Sequence, residues 1–130
     1  NLKGSTTGGS INVLSEGTSV TTNLQQGLTK VWCNYDGDNN AISDSFNVSS
    51  ITDAAVGIHQ FNFSNAMSSV NYSCVGAAGA SGFHNVTTKS TAGGTLGASS
   101  VVIRVSQNDS STSANDDDGE TSFSLNGDLA

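Results

Sequence analysis

Between Lys30 and Asp53 the chain reads KVWCNYDGDNNAISDSFNVSSITD, two alternating segments on either side of a cluster of Asp, Gly and Asn. In Val31-Trp32-Cys33-Asn34-Tyr35 successive side chains fall on opposite faces of an extended chain. Asp36-Gly37-Asp38-Asn39-Asn40 supplies residues that tolerate the left-handed backbone of a tight connection. The pattern predicts a β-hairpin, and similar punctuation continues to the end of the chain. Strands are expected over Thr29–Tyr35, Ser45–Ile51, Gly57–Phe63, Val70–Gly76, Phe83–Lys89, Ser100–Ser106 and Thr121–Leu125, at intervals suited to a sandwich. The segments between them hold most of the Gly, Asn, Asp and Ser clusters.

Alternation also selects a core. His59, Phe61 and Phe63 share one face, as do Val70, Tyr72 and Cys74, and Val101, Ile103 and Val105. Trp32 stands opposite Val31, Cys33 and Tyr35, which points it at a second sheet or at a subunit interface. Residues 1–28 read as an extended attachment segment and 29–130 as the sandwich domain. The leader has one short strand candidate near Ile11–Leu14, expected to pair with another chain or with the rest of an assembly. One helical turn is allowed around Thr22–Leu28, where Asn or Thr caps and Gly27 terminates.

The 130 residues suit a single domain with one core. Hydrophobic residues make up only 35% of them, so the core is thin and association between copies would help to cover it. Ser, Thr and Asn fill about two-fifths of the chain, and there are fifteen glycines and no proline. The net charge is −7, with Lys3, Lys30, Lys89 and Arg104 the only Lys or Arg residues. That balance opposes binding to a nucleic-acid backbone or to an anionic bilayer. No apolar run approaches the length of a membrane span, and the chain lacks a signal-peptide pattern.

The order KVWCNYDG, DSFNVSSITD, HQFNFSNAM, NYSCVG resembles a domain that recurs in virion proteins of marine tailed bacteriophages, often at the outer end of tail fibres. The likeness runs from about Asn23 to about Val105 and rests on a string of short motifs. The usual pattern has an apolar residue where this chain has Cys33, and a longer polar turn before the strand at Ile58. The resemblance implies a homotrimer on the particle surface, assembled in the host bacterial cytoplasm and attached to other virion proteins through the N-terminal segment. It implies contact with the host surface, and supplies no active site or cofactor. Scarce Lys and Arg with abundant Asp also suit a salty medium. Cys33 and Cys74 lie in segments expected to be neighbouring strands; they could be bridged, but a reducing cytoplasm favours two small buried hydrophobes.

Candidate chemistry is sparse. Asp36–Asn40 begins like a calcium loop, but Ala41 and Asn47 stand where such a loop needs glycine and a bidentate glutamate, which leaves a polar turn. Asp116, Asp117, Asp118 and Glu120 read first as a solvated loop and second as a cation site. His59 and His84 have no partners at zinc spacing and read as structural or exposed. There is no G-x-S-x-G elbow, and Gly76–Gly82 has no Walker lysine, so no catalytic, cofactor or metal residue is assigned. The five N-x-Ser/Thr triplets, at Asn47, Asn62, Asn71, Asn85 and Asn108, are chance matches in so Ser- and Thr-rich a chain.

These observations lead to an all-β, antiparallel sandwich of jelly-roll type, not an enzyme. The expected role is a homotrimeric tail-fibre or fibre-tip domain, with short polar side chains on loops meeting host glycans at avidity. Three segments are expected to be receptor-facing loops: Ala78–His84 with Ser81, Gly82 and His84; Thr91–Ala98 with Thr91 and Thr95; and Asn108–Gly119 with Asp109, Asn115 and Asp116. Trp32 is the candidate for the subunit interface. The alternatives are a capsid-decorating protein and a carbohydrate-binding module; the second is disfavoured by aromatics that are few and apparently inward.

Overall fold

A computed structural model of the chain describes residues 11–14, 20–79, 84–88, 96–109 and 112–130. Its elements are β1 (Asn12–Leu14), β2 (Thr21–Asn23), α1 (Leu24–Gly27), β3 (Thr29–Asp36), β4 (Ala41–Phe46), β5 (Val48–Ala55), β6 (Ile58–Phe63), β7 (Ser73–Ala78), β8 (His84–Thr88), β9 (Ser100–Asp109), β10 (Thr112–Asn115) and β11 (Thr121–Asn126). All pairings are antiparallel. Two sheets face each other, one ordered β4-β3-β11-β7 and one containing β5, β6, β9, β8 and β10. In the second, Ile103 and Arg104 of β9 pair with both β6 and β8, so these lie on opposite edges. Further along, β10 takes up the edge that β6 leaves. The antiparallel all-β sandwich expected from the alternation is present.

The core follows the period of two. Val31, Cys33 and Tyr35 of β3 and Phe123 and Leu125 of β11 meet Phe61 and Phe63 of β6 and Val101 and Ile103 of β9 in one buried cluster. Met67 closes the cluster from the segment after β6, where its backbone N–H donates to Ala98 O at 2.8 Å. Trp32, opposite these residues, is 37% exposed on the outward face, as alternation requires. Val70 departs from the expected inward set and is exposed, because β7 begins only at Ser73.

The expected strand Ser45–Ile51 is two strands in two different sheets. Asn47 breaks it with a φ of +61°. Its amide satisfies groups that such a corner would strand: Nδ2 donates to Lys30 O and Asn65 O, and Oδ1 accepts from Asn65 N at 2.7 Å. Asparagine supplies both the left-handed backbone and the hydrogen bonds, and the chain thereby passes from one layer to the other within one residue.

The leader strand also differs from expectation. β1 pairs with β2 of the same chain, Val13 opposite Thr22, to form a two-stranded sheet apart from the sandwich sheets. α1 is the single helical turn that the sequence allows, with Asn23 Oδ1 accepting from Gln25 N at 2.9 Å. Lys30 is buried beside it and donates from Nζ to Gln25 O and Leu28 O.

Gly57 is the tightest backbone position. Its φ is +65°, and a Cβ there would lie 2.5 Å from Val105 O and 2.6 Å from Asp116 N. Backbone cannot yield as a flexible side chain can, so Gly57→Ala is expected to cost about 2–4 kcal/mol of unfolding free energy. Urea denaturation measures it; a loss under about 0.5 kcal/mol, the range of a neutral surface change, would contradict this packing.

Candidate functional site

The segment between β10 and β11 carries the run Asp116-Asp117-Asp118-Gly119-Glu120. It is the loop before the last strand expected from the sequence, with Asp116 and Glu120 reaching solvent but Asp118 buried. It is laid across one end of the sandwich and tied there by its own backbone. Asp116 N donates to Val105 O at 3.3 Å, Gly37 N donates to Asp118 O at 2.8 Å, and Gly79 N donates to Glu120 O at 2.7 Å. The carboxylates add further ties. Asp117 Oδ1 accepts from Gly57 N at 2.5 Å, and Asp118 Oδ1 accepts from Glu120 N at 2.9 Å. This strap therefore joins the β3–β4 turn, the start of β6 and the end of β7.

Both histidines meet the strap, and sequence reading had no means of pairing them with it. His84, at the start of β8, has a side chain only 2% exposed. Its Nε2 lies 3.1 Å from Asp116 Oδ2, and its Nδ1 lies 3.6 Å from Asp118 Oδ2, beyond hydrogen-bonding reach. The Asp118 side chain is fully buried beside it. His59 of β6 packs against the Tyr35 ring at 5.4 Å, and its Nε2 is 2.8 Å from Asn40 Oδ1 and 4.0 Å from Asp117 Oδ1. Neither histidine is hydrogen-bonded to a hydroxyl among the described residues, because Asn40 and Asp116 hold the bonded nitrogens. No group of three His, Cys, Asp or Glu side chains among the described residues is arranged to hold a metal ion.

The Asp36–Asn40 cluster forms the turn that the sequence implies. Asn39 donates from its backbone N to Asp36 Oδ1 and from Nδ2 to Asp36 Oδ2, at 3.0 and 2.7 Å. These bonds, the side-chain one foremost, hold the exposed Asp36 carboxyl below the ordinary range. Its contribution to folding is present above the ordinary carboxylate pKa and is lost as pH falls below it. Beside this turn a polar recess of about 450 Å³ is lined by Asn34, Asp36, Ser43, Gly79, Glu120 and Ser122.

Of the candidate receptor-facing residues, the structure describes His84, Asp109, Asn115 and Asp116. β8 enters at His84 opposite Gln107 and leaves at Thr88 opposite Ile103. Ser81, Gly82, Thr91 and Thr95 lie outside the described residues. His84 is a correction: its side chain turns inward rather than toward a receptor. Asn115 closes β10 and accepts from Arg104 Nε at 2.6 Å, while the Asp116 side chain is 43% exposed. Asp109 is the last residue of β9. The expected loop Asn108–Gly119 is thus partly a β-ladder, with Thr112 opposite Asp109 and Asn115 opposite Ser106. In the described part of the third segment, Gly97 O accepts from the Tyr72 hydroxyl at 3.1 Å, and Leu96 packs on the core.

On the outward face of the four-stranded sheet, register places Phe46 beside Trp32, Trp32 beside Ser124 and Ser124 beside Val75. Phe46 and Val75 are 52% and 66% exposed. A second hollow of about 580 Å³ borders this row, lined by Leu28, Phe46, Leu129 and their polar neighbours.

Cys33 and Cys74 are free thiols. They occupy β3 and β7, which are separated by β11 rather than adjacent. Two inter-strand steps and a two-residue offset in register along β11 place them about 12 Å apart, too far for the roughly 4.4–6.8 Å that a disulfide needs between Cα atoms. Burial pushes the Cys33 thiol from 9.0 to about 12, with Asp44 adding to the rise, and the Cys74 thiol to about 11.

Set against family models, curated protein sequences and solved structures, the chain matches none of them.

Two measurements check this description. Native protein at pH 8 is expected to resist iodoacetamide at both thiols, and to take up two labels once unfolded; rapid native labelling of Cys33 would contradict its burial. The sign of the linkage is that the neutral thiols' contribution is complete below pH 9, and stability falls as pH rises from there toward 11–12. His84→Ala is expected to cost about 2–3 kcal/mol through the lost charged hydrogen bond and the space left, and Asp116→Asn about 1 kcal/mol or less. A loss under about 0.5 kcal/mol in His84→Ala would mean that the strap is not held through His84.

Proposed function

We propose that this chain is a structural component of a tailed-phage virion, a homotrimeric tail-fibre or fibre-tip domain that contacts the host surface. One observation carries the self-association on which that reading depends. Phe46 and Trp32 are adjacent exposed aromatics, with Val75 beyond Ser124 on the same outward face, on a chain whose net charge is −7. Large aromatics at a charge-poor centre are the compositional mark of a protein interface. Trp32 is assigned to that interface between copies.

The host-facing chemistry follows from composition. Short Ser, Thr and Asn side chains on a rigid ladder form modest hydrogen bonds with sugar hydroxyls, and three copies multiply them. The strap end supports this use, because its recess offers Asn34, Asp36, Ser43 and Glu120 as donors and acceptors on a backbone already immobilised. A second reading, a carbohydrate-binding module, gains from the outward Trp32–Phe46 pair, since adjacent exposed aromatics can stack on pyranose rings. The capsid-decorating alternative differs from the fibre reading only in position on the particle.

Light scattering on the isolated chain, followed by immunogold labelling of intact particles, separates these readings. A trimer found at the tail is the expected result. A trimer on the head supports the decorating role, and a monomer that binds a glycan array supports the module. Trp32→Ala is expected to weaken the oligomer at least tenfold, the equivalent of about 1.4 kcal/mol; an unaltered oligomer removes Trp32 from the interface.

A further inference from the structure

We infer that the β1–β2 hairpin is an arm that seats in the groove of a second copy, formed by Leu28, Phe46 and Leu129. This inference rests on the self-association proposed above and specifies how it is built. Among the described residues the hairpin pairs only with itself and joins neither sandwich sheet. A two-stranded sheet of three residues per strand is marginal in water without a surface to cover it. Val13 and Leu14 are 47% and 63% exposed, and, being consecutive on a strand, they place an apolar side chain on each face of the hairpin.

The groove is the complementary feature. Leu28, Phe46 and Leu129 remain 52%, 52% and 40% exposed around a hollow of about 580 Å³. The chain's own arm leaves them bare, although α1 holds it close by. Electrostatics permits a second copy as the occupant. Any contact between chains that each carry −7 must fall where little like charge is brought together. The described arm residues are uncharged, and of the two charged groove residues Lys30 is spent on the carbonyls of Gln25 and Leu28, which leaves Asp128. Phe46 belongs to both the groove and the row containing Trp32, so arm and row form one continuous surface.

An arm given to one neighbour while the groove receives from another is a head-to-tail contact. Such contacts close into a ring when the rotation between copies is one-third of a turn.

The test uses the full chain and two variants, Leu14→Asp in the arm and Leu129→Asp in the groove, followed by light scattering. Each alone is expected to lose assembly, its mass falling about threefold to that of one chain. Mixed in equal amounts they are expected to form a one-to-one pair, because one intact arm and one intact groove remain between them. Assembly of either variant at wild-type strength, or a mixture that stays monomeric, overturns the arm. Both positions are exposed, so thermal unfolding is expected to match wild type; if Leu129→Asp unfolds, Leu28→Asp takes its place. A monomeric wild type defeats the oligomeric reading itself, whereas an oligomeric wild type with an indifferent Leu14→Asp defeats only the arm.

Discussion

Phe61 holds the two layers together. Its ring stands 4.7 Å from Tyr35, edge to face, and 4.8 Å from Phe123, so one side chain of the β5–β6–β9 layer engages two strands of the opposing layer. Aromatic pairs in this geometry contribute beyond their buried area. In a chain with few apolar residues, this three-ring contact supplies much of what a larger core would spread over many side chains. Its neighbours Val31, Leu125, Val101 and Ile103 are fully buried around it. The core is concentrated between β3, β11, β6 and β9, and the outer strands β4, β5, β7 and β8 are only half covered.

That concentration explains the rest of the molecule. Strands with little apolar burial are secured through backbone and polar side chains. Asn47 forms the corner from β4 to β5, and the Asp116–Glu120 strap closes one end through Gly37, Gly57 and Gly79. At Gly57, and less severely at Gly37, the strap backbone passes too close for a side chain. The buried histidines serve the same closure. His84 and Asp118 lie side by side inside the strap, where polar groups must face partners or destabilise the fold. Part of the apolar material that the core does not use is left outside on the outward face and around the groove.

The β3–β4 turn, the inward Phe61 and Val101–Val105 sets, the outward Trp32 and the single turn of α1 were all legible in the sequence. Each is a local pattern of period two, or a cap and turn residue acting within a few positions. Ser45–Ile51 misled because nothing in SFNVSSI marks its asparagine as a left-handed corner; the bonds that select it come from Lys30 and Asn65, distant in sequence. β10 was hidden for a related reason, since Thr112–Asn115 is polar and becomes a strand only where β9 extends beyond β6 and offers a free edge.

The amino-acid order by itself determined the antiparallel ribbons and which side of each is apolar, because side-chain alternation is a property of the extended backbone. Only the tertiary structure decided that β11 lies between the two cysteines, that three aspartates meet two histidines, and that Phe46 stands beside Trp32. Those adjacencies join residues up to about ninety positions apart, and they depend on which strands become neighbours, a choice made by closing the whole core at once.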